Sequence, residues 1–165
     1  VLESREARHF SSAKAEELSA SDFVTFRSLD TCPMAMTAHV VYEAIDPQRP
    51  ATTSPKVVRQ VIRGEIGFDG LLLSDDLSMQ ALSGPLSVRT KAALFAGCDI
   101  VLHCNGDMEE MKEVASEAKE LNGSSARRSE HALSQLAPPD SPFDVEEAEA
   151  RLAELLAAPA AETMA

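Results

Sequence analysis

The sequence predicts an α/β fold built on parallel strands, and three observations carry that prediction. Three short apolar runs are each followed by a helical pattern, which is the spacing of strands joined by crossover helices. The central run contains Leu71-Leu72-Leu73 with no polar alternation, as suits a strand covered on both faces. Each run also exits into polar residues of a kind that carries chemistry.

The elements follow in order. Residues 15–29 read as a helix on which Leu18, Phe23 and Phe26 share a face, and the residues before them show no clear period. Residues 33–41 read as a first strand, entered through Pro33 and followed by the polar loop YEAIDPQRPATT, which is long enough to carry function. Ser54 and Pro55 supply an N-cap and a first helical residue, with Val57, Val58, Val61 and Ile62 as the apolar stripe and a stop near Gly64 to Gly67. Residues 68–76 form the second strand, residues 86–96 a helix ending at Gly97, and residues 99–105 the third strand. Asp107 is an N-cap with Glu109 and Glu110 in the first turn, and Asn122-Gly123 is the matching stop. Residues 126–136 and 145–156 are further helical candidates, separated by APPDSP and followed by an alanine-rich tail.

Composition bounds the function. With 165 residues and a net charge of −12, the chain is one acidic domain, which argues against a nucleic-acid surface or a polybasic membrane patch. A closed α/β barrel usually needs about 250 residues, so a barrel here implies further chain. Residues 107–165 hold 14 acidic and 5 basic side chains, read as solvated helix faces. No apolar run is long enough to span a membrane, and the N-terminus has neither a signal pattern nor an initiator Met, so the expected location is cytoplasmic. Cys32, Cys98 and Cys104 include no CxxC pair, and the expectation is three small buried thiols in a reducing compartment.

In parallel α/β folds the carboxyl ends of the strands carry the active site. Here those ends are His39, Ser74-Asp75-Asp76, and His103-Cys104-Asn105. Alternation on the second strand puts Leu71, Leu73 and Asp75 on one face and Leu72, Ser74 and Asp76 on the other, so one Asp faces the pocket and the other the helix layer. A carboxylate ending an apolar strand is costly to desolvate unless paired. Either the two carboxylates cap a turn and anchor a loop, or one is a nucleophile or metal ligand. No other carboxylate or His stands at short ligand spacing to support a metal. A strand histidine such as His39 or His103 is more often a satisfied core residue than a catalyst. There is no GxGxxG, P-loop, GxSxG or HExxH.

The run Met36-Thr37-Ala38-His39-Val40, the block Ile66-Gly67-Phe68-Asp69-Gly70 leading into Ser74-Asp75-Asp76-Leu77-Ser78-Met79, and Ala96-Gly97-Cys98-Asp99 downstream resemble the bacterial β-N-acetylhexosaminidases of glycoside hydrolase family 3. The similarity covers roughly residues 16–114. The resemblance implies a (β/α)8 barrel of which this chain holds strands six to eight with their helices, plus C-terminal helices. It implies a retaining hydrolase that removes terminal β-linked N-acetylglucosamine from muropeptides in peptidoglycan recycling, with no metal or organic cofactor. Carried over by motif, Asp75 is the nucleophile, Met79 stands at the pocket wall, and His39 lines the pocket or supports Asp75, while Asp76 is a supporting or capping residue.

The family's K-H-F-P-G-H-G strand, its Asp-x-His acid/base loop and its upstream sugar-holding Asp and Arg have no counterpart in these residues. Arg8-His9-Phe10 echoes only the start of that strand, and His9 is given no role. The expected organisation is an unmatched segment 1–15, the C-terminal half of a barrel over 16–123, and C-terminal helices over 124–165. Unpaired barrel edges would favour self-association. The alternative reading is a catalytically incompetent fragment or sugar-binding remnant.

Overall fold

The computed structural model describes residues 9–136 and 144–157. The chain divides into a first unit ending at Gln135 and a second beginning at Leu136. In the first unit the strands are β1 (His9–Ser11), β2 (Met34–Met36), β3 (Val40–Tyr42), β4 (Leu71–Asp76) and β5 (Ile100–Leu102). Its α-helices are α1 (Ala15–Ala20), α2 (Asp22–Arg27), α3 (Leu86–Ala96), α4 (Met108–Glu117) and α5 (Gly123–Ser134), with a π-helix over Val57–Glu65. In the second unit α6 spans Val145–Ala157. The APPDSP segment and the alanine-rich tail lie outside the described residues, as do residues 1–8 of the N-terminal segment.

The expected parallel sheet is present. β2, β4 and β5 pair in that order, all parallel, with Met34 opposite Leu71 and Leu73 opposite Ile100. The ladder between β4 and β5 is irregular between Leu73 and Asp76. There the Leu102 N–H donates to the Ser74 hydroxyl at 2.9 Å, which explains why a serine sits fully buried in an apolar strand.

Three sequence expectations are corrected. The single strand over 33–41 is two strands in different sheets, because β3 pairs with β1 while β2 pairs with β4. Thr37 and His39 turn inward between them, both to the buried Thr52 hydroxyl, and that breaks the ladder. The helix over 15–29 is interrupted at Ser21, whose hydroxyl donates to the Glu17 carbonyl and the Asp22 carboxylate in competition with the helix backbone. The helix from Asp107 stops at Glu117 rather than Asn122, although its cap forms as expected, Asp107 accepting the N–H groups of Glu109 and Glu110.

The Ser54 cap also forms. Its hydroxyl accepts the Val57 N–H and donates to Asp46 at 2.6 Å, but the helix it opens is π rather than α, with Ile66 N–H reaching the Val61 carbonyl five residues back. Its buried face, Val57, Val58 and Val61, packs toward Phe68, Leu72 and Ala96 through Val58, and toward Leu18 and Phe23 through Val61. Leu77, Leu82, Leu86, Ala93, Cys98 and Val114 form a further buried cluster, with Val101 of β5 packed against it.

Beneath the sheet an ionic network fixes α5. Asp99, just before β5, accepts Arg63 and the Leu72 N–H on one oxygen, and Ser125 and Arg128 on the other. Arg128 and Arg127 also hold Asp69 at 2.6 and 2.7 Å, which depresses the Asp69 pKa through those hydrogen bonds. The first compact unit therefore includes α5, whereas the sequence reading set the C-terminal helices apart from residue 124. Of the cysteines, Cys98 is buried as expected, Cys32 is half-buried, and Cys104 is exposed because β5 ends at Leu102.

Candidate active site

The apolar residues of β4 bury the strand, and its polar exit emerges where β4, β5 and the residue His39 converge. Burial follows the predicted alternation only in the middle of the strand, where Leu72 and Ser74 are fully buried and Leu73 and Asp75 partly open; at its ends Leu71 is buried and Asp76 is half-buried like Asp75. One Asp75 oxygen accepts the Asp76 N–H at 2.8 Å, and no other hydrogen-bond donor reaches this carboxylate among the described residues.

Asp76 is engaged quite differently. Its carboxylate accepts the Ser78 hydroxyl at 2.6 Å, the Ser78 N–H at 2.9 Å and the Cys104 N–H at 3.2 Å. Burial works to raise its pKa, yet the Ser78 bonds, the Cys104 bond and the His103 charge outweigh that and hold it low. Asp76 thus pins the turn after β4 to the residue chain leaving β5, which is a capping role.

His39 is buried, with Nδ1 2.8 Å from the Thr52 hydroxyl and Nε2 2.9 Å from the Asp76 carbonyl. A carbonyl only accepts, so Nε2 carries the proton of that bond, while Nδ1 and the Thr52 hydroxyl share the other. The same Asp76 carbonyl accepts the Met79 N–H at 3.2 Å. His39, the Asp76-Leu77 peptide and Met79 are therefore joined through one oxygen. His39 does not touch the Asp75 carboxylate; it fixes the backbone next to it. The His103 side chain is buried, with Nε2 3.3 Å from Glu110.

Residues 2–135 match the family model described as "Glycosyl hydrolase family 3 N terminal domain". The chain belongs to that family. The beta-hexosaminidase of Alkalilimnicola ehrlichii is 52% identical over 92 residues, covering 53% of this chain and 26% of the relative. That of Pseudomonas aeruginosa is 45% identical over 93 residues, covering 54% of this chain and 28% of the relative. Among solved structures, native NagZ from Neisseria gonorrhoeae aligns with a TM-score of 0.63 at 30% identity over 87% of this chain and 40% of that one. The chain spans about a quarter of the length of these curated relatives.

Sequence reasoning missed three parts of this family 3 site. Thr52, itself hydrogen-bonded to Thr37, orients His39, and its signal was the small polar run Ala51-Thr52-Thr53 at the end of the loop read as long enough to carry function. Arg89 of α3 donates to the carbonyls of Leu77, Met79 and Gly84, holding the loop after β4 from its far side. That loop and the one after β3 border a small cavity of about 180 Å³ lined by Arg49, Thr53, Leu82 and Arg89. Among the described residues no three His, Cys, Asp or Glu side chains cluster as metal ligands, and no helix is long and apolar enough to cross a membrane.

Proposed function

We propose that this family 3 chain carries the nucleophile-bearing part of a β-N-acetylhexosaminidase. Asp75 attacks the anomeric carbon of a terminal β-linked N-acetylglucosamine, forming a glycosyl-enzyme that water then hydrolyses with net retention. The observation that carries this reading is the asymmetry of the carboxylate pair: Asp76 is saturated by three donors, while Asp75, on the opposite face, keeps one oxygen free of any donor among the described residues. His39 holds the Asp76-Leu77 peptide, one residue beyond Asp75, and Met79 borders the sugar. Relatives named "Beta-hexosaminidase" support the reaction class. In this reading β2, β4 and β5 are strands six to eight of a (β/α)8 barrel, the substrate is an N-acetylglucosamine-containing muropeptide, and the setting is cytoplasmic peptidoglycan recycling.

A second reading is a family 3 fragment or sugar-binding remnant that does not turn over substrate, since no counterpart of the family's Asp-x-His acid/base loop was recognised in these residues. A retaining hydrolase needs a proton donor for the leaving group, and its loss typically lowers the rate about 10²–10⁴-fold.

The deciding experiment is release of nitrophenol from 4-nitrophenyl N-acetyl-β-D-glucosaminide by the chain and by Asp75→Asn, both checked by circular dichroism. Turnover lost in Asp75→Asn supports the first reading. Equal turnover in both removes Asp75 as nucleophile, and a folded chain without turnover supports the second reading.

A further inference from the structure

The cavity of about 180 Å³ lies between the loop leaving β3 and the loop leaving β4. Arg49 lines it from the first loop, Leu82 from the second, and Val88, Arg89 and Ala92 from the first half of α3. Both sides belong to this chain and are joined to each other, since the turn Ala51–Thr53 that ends the first loop packs on α3. No acidic side chain lines the cavity among the described residues, although 27 of the 165 residues of the chain are acidic.

Arg89 is fixed in place with donors to spare. A guanidinium carries five N–H groups in one rigid plane. Its Nε donates to the Gly84 carbonyl at 2.8 Å, and Nη1 donates to the carbonyls of Leu77 at 2.8 Å and Met79 at 3.1 Å. Three donors are thereby used, and the two on Nη2 find no acceptor among the described residues. Arg49 makes no hydrogen bond or ion pair among those residues. The carboxylates that feel these two cations are engaged elsewhere. Asp46 accepts from the Ser54 hydroxyl and the Gln48 N–H, and Glu113 accepts the Ser87 N–H.

Two cations with unused donors select an anion, and the walls select its kind. A phosphate or sulfate is charged on every side and would set oxygens against Leu82, Val88 and Ala92, at a desolvation cost. A carboxylate on a short aliphatic stem turns its two oxygens to the guanidinium groups and its stem to those side chains. The volume is below the roughly 300–1,000 Å³ of pockets that enclose drug-sized ligands, so the acid is small.

We propose that Arg49 and Arg89 hold a small carboxylate in this cavity, with its aliphatic stem against Leu82, Val88 and Ala92. The carboxylate comes either from a free acid or from an acid-bearing amino sugar of the substrate. Nothing in the inference rests on Asp75.

The test titrates the purified chain with butyrate, with its neutral isostere butyramide and with inorganic phosphate, at low ionic strength, and follows amide shifts by NMR. The expected result is a saturable response to butyrate around residues 48–53 and 82–92 with a Kd of about 1 mM or tighter, and binding of butyramide and phosphate about tenfold weaker or more. Arg49→Gln removes an exposed side chain, and Val88→Asp sets a carboxylate against the arginines from a position that is 54% exposed. Each variant, with native circular dichroism, should weaken butyrate binding about tenfold or more. No saturable response to butyrate, equal affinity for butyramide or phosphate, or an affinity that either folded variant leaves unchanged overturns the proposal. N-acetylmuramic acid, a sugar bearing a carboxylate, separates the sources. Binding tighter than butyrate supports the proposal with an acidic sugar as the ligand, and binding no tighter supports it with a free acid. Affinity is read without turnover, so a chain that binds butyrate but cleaves no substrate counts against Asp75 and not against this cavity.

Discussion

The His39 ring donates from Nε2 to the carbonyl oxygen of Asp76 at 2.9 Å, one peptide beyond Asp75. Its other nitrogen is hydrogen-bonded to the Thr52 hydroxyl, so both ring nitrogens are satisfied in a site where an unpaired polar atom is expensive. His39→Ala leaves the Asp76 carbonyl and the Thr52 hydroxyl short of a partner and opens a cavity. Urea unfolding should show a loss of about 2–4 kcal/mol. His39→Gln should recover part of it.

Asp76 predicts an acid-side signature. Its folded pKa lies below the unfolded value of about 3.9, so its contribution is present above that value and lost as pH falls through the folded pKa. Asp76→Asn should cost about 1.5 kcal/mol at pH 7. The variant's stability should then fall less steeply than the parent's below about pH 4, as followed by urea midpoints at several pH values.

Gly70 tests the close packing at the entrance to β4. A Cβ there would stand 2.5 Å from the Cys32 carbonyl oxygen and 2.6 Å from the Phe68 ring. Backbone on one side and a buried ring on the other leave little room to relax, so Gly70→Ala should destabilise by about 2–3 kcal/mol in urea.

The cysteines should separate chemically. Burial drives the Cys98 thiol up to about 12, while Cys104 is exposed. A thiol reagent at neutral pH should label Cys104 in the native protein and reach Cys98 only on unfolding, with peptide mass spectrometry assigning the order.

The Asp99 carboxylate, with a side chain 2% exposed, balances Arg63 and Arg128. Asp99→Asn leaves both cations facing a neutral amide and should cost about 3–5 kcal/mol, measured by urea unfolding.

The strand runs and the partition of Asp75 from Asp76 were legible because period-two alternation and apolar continuity are local properties of residues 68–76. The break at Thr37–His39 was not, because it depends on Thr52, thirteen residues beyond His39 and reached only through the fold. The stripe Val57, Val58, Val61 and Ile62 announced a helix but suits wide and ordinary turns alike, so the π form was hidden. The roles of Arg127 and Arg128 were hidden for a similar reason: in the sequence they are two cations in an acidic tail, and only the tertiary structure sets them against Asp69 and Asp99.

The placement of α5 sets a lower bound on how far this domain can be trimmed. A chain ended at Asn122 would keep every motif that identifies the family, from Met36 to Asp99, and would still lack Ser125 and Arg128, the two donors to one oxygen of Asp99. The stretch that holds the recognisable motifs and the piece that closes the Asp99 network are different lengths, and it is a helix beyond those motifs that makes up the difference.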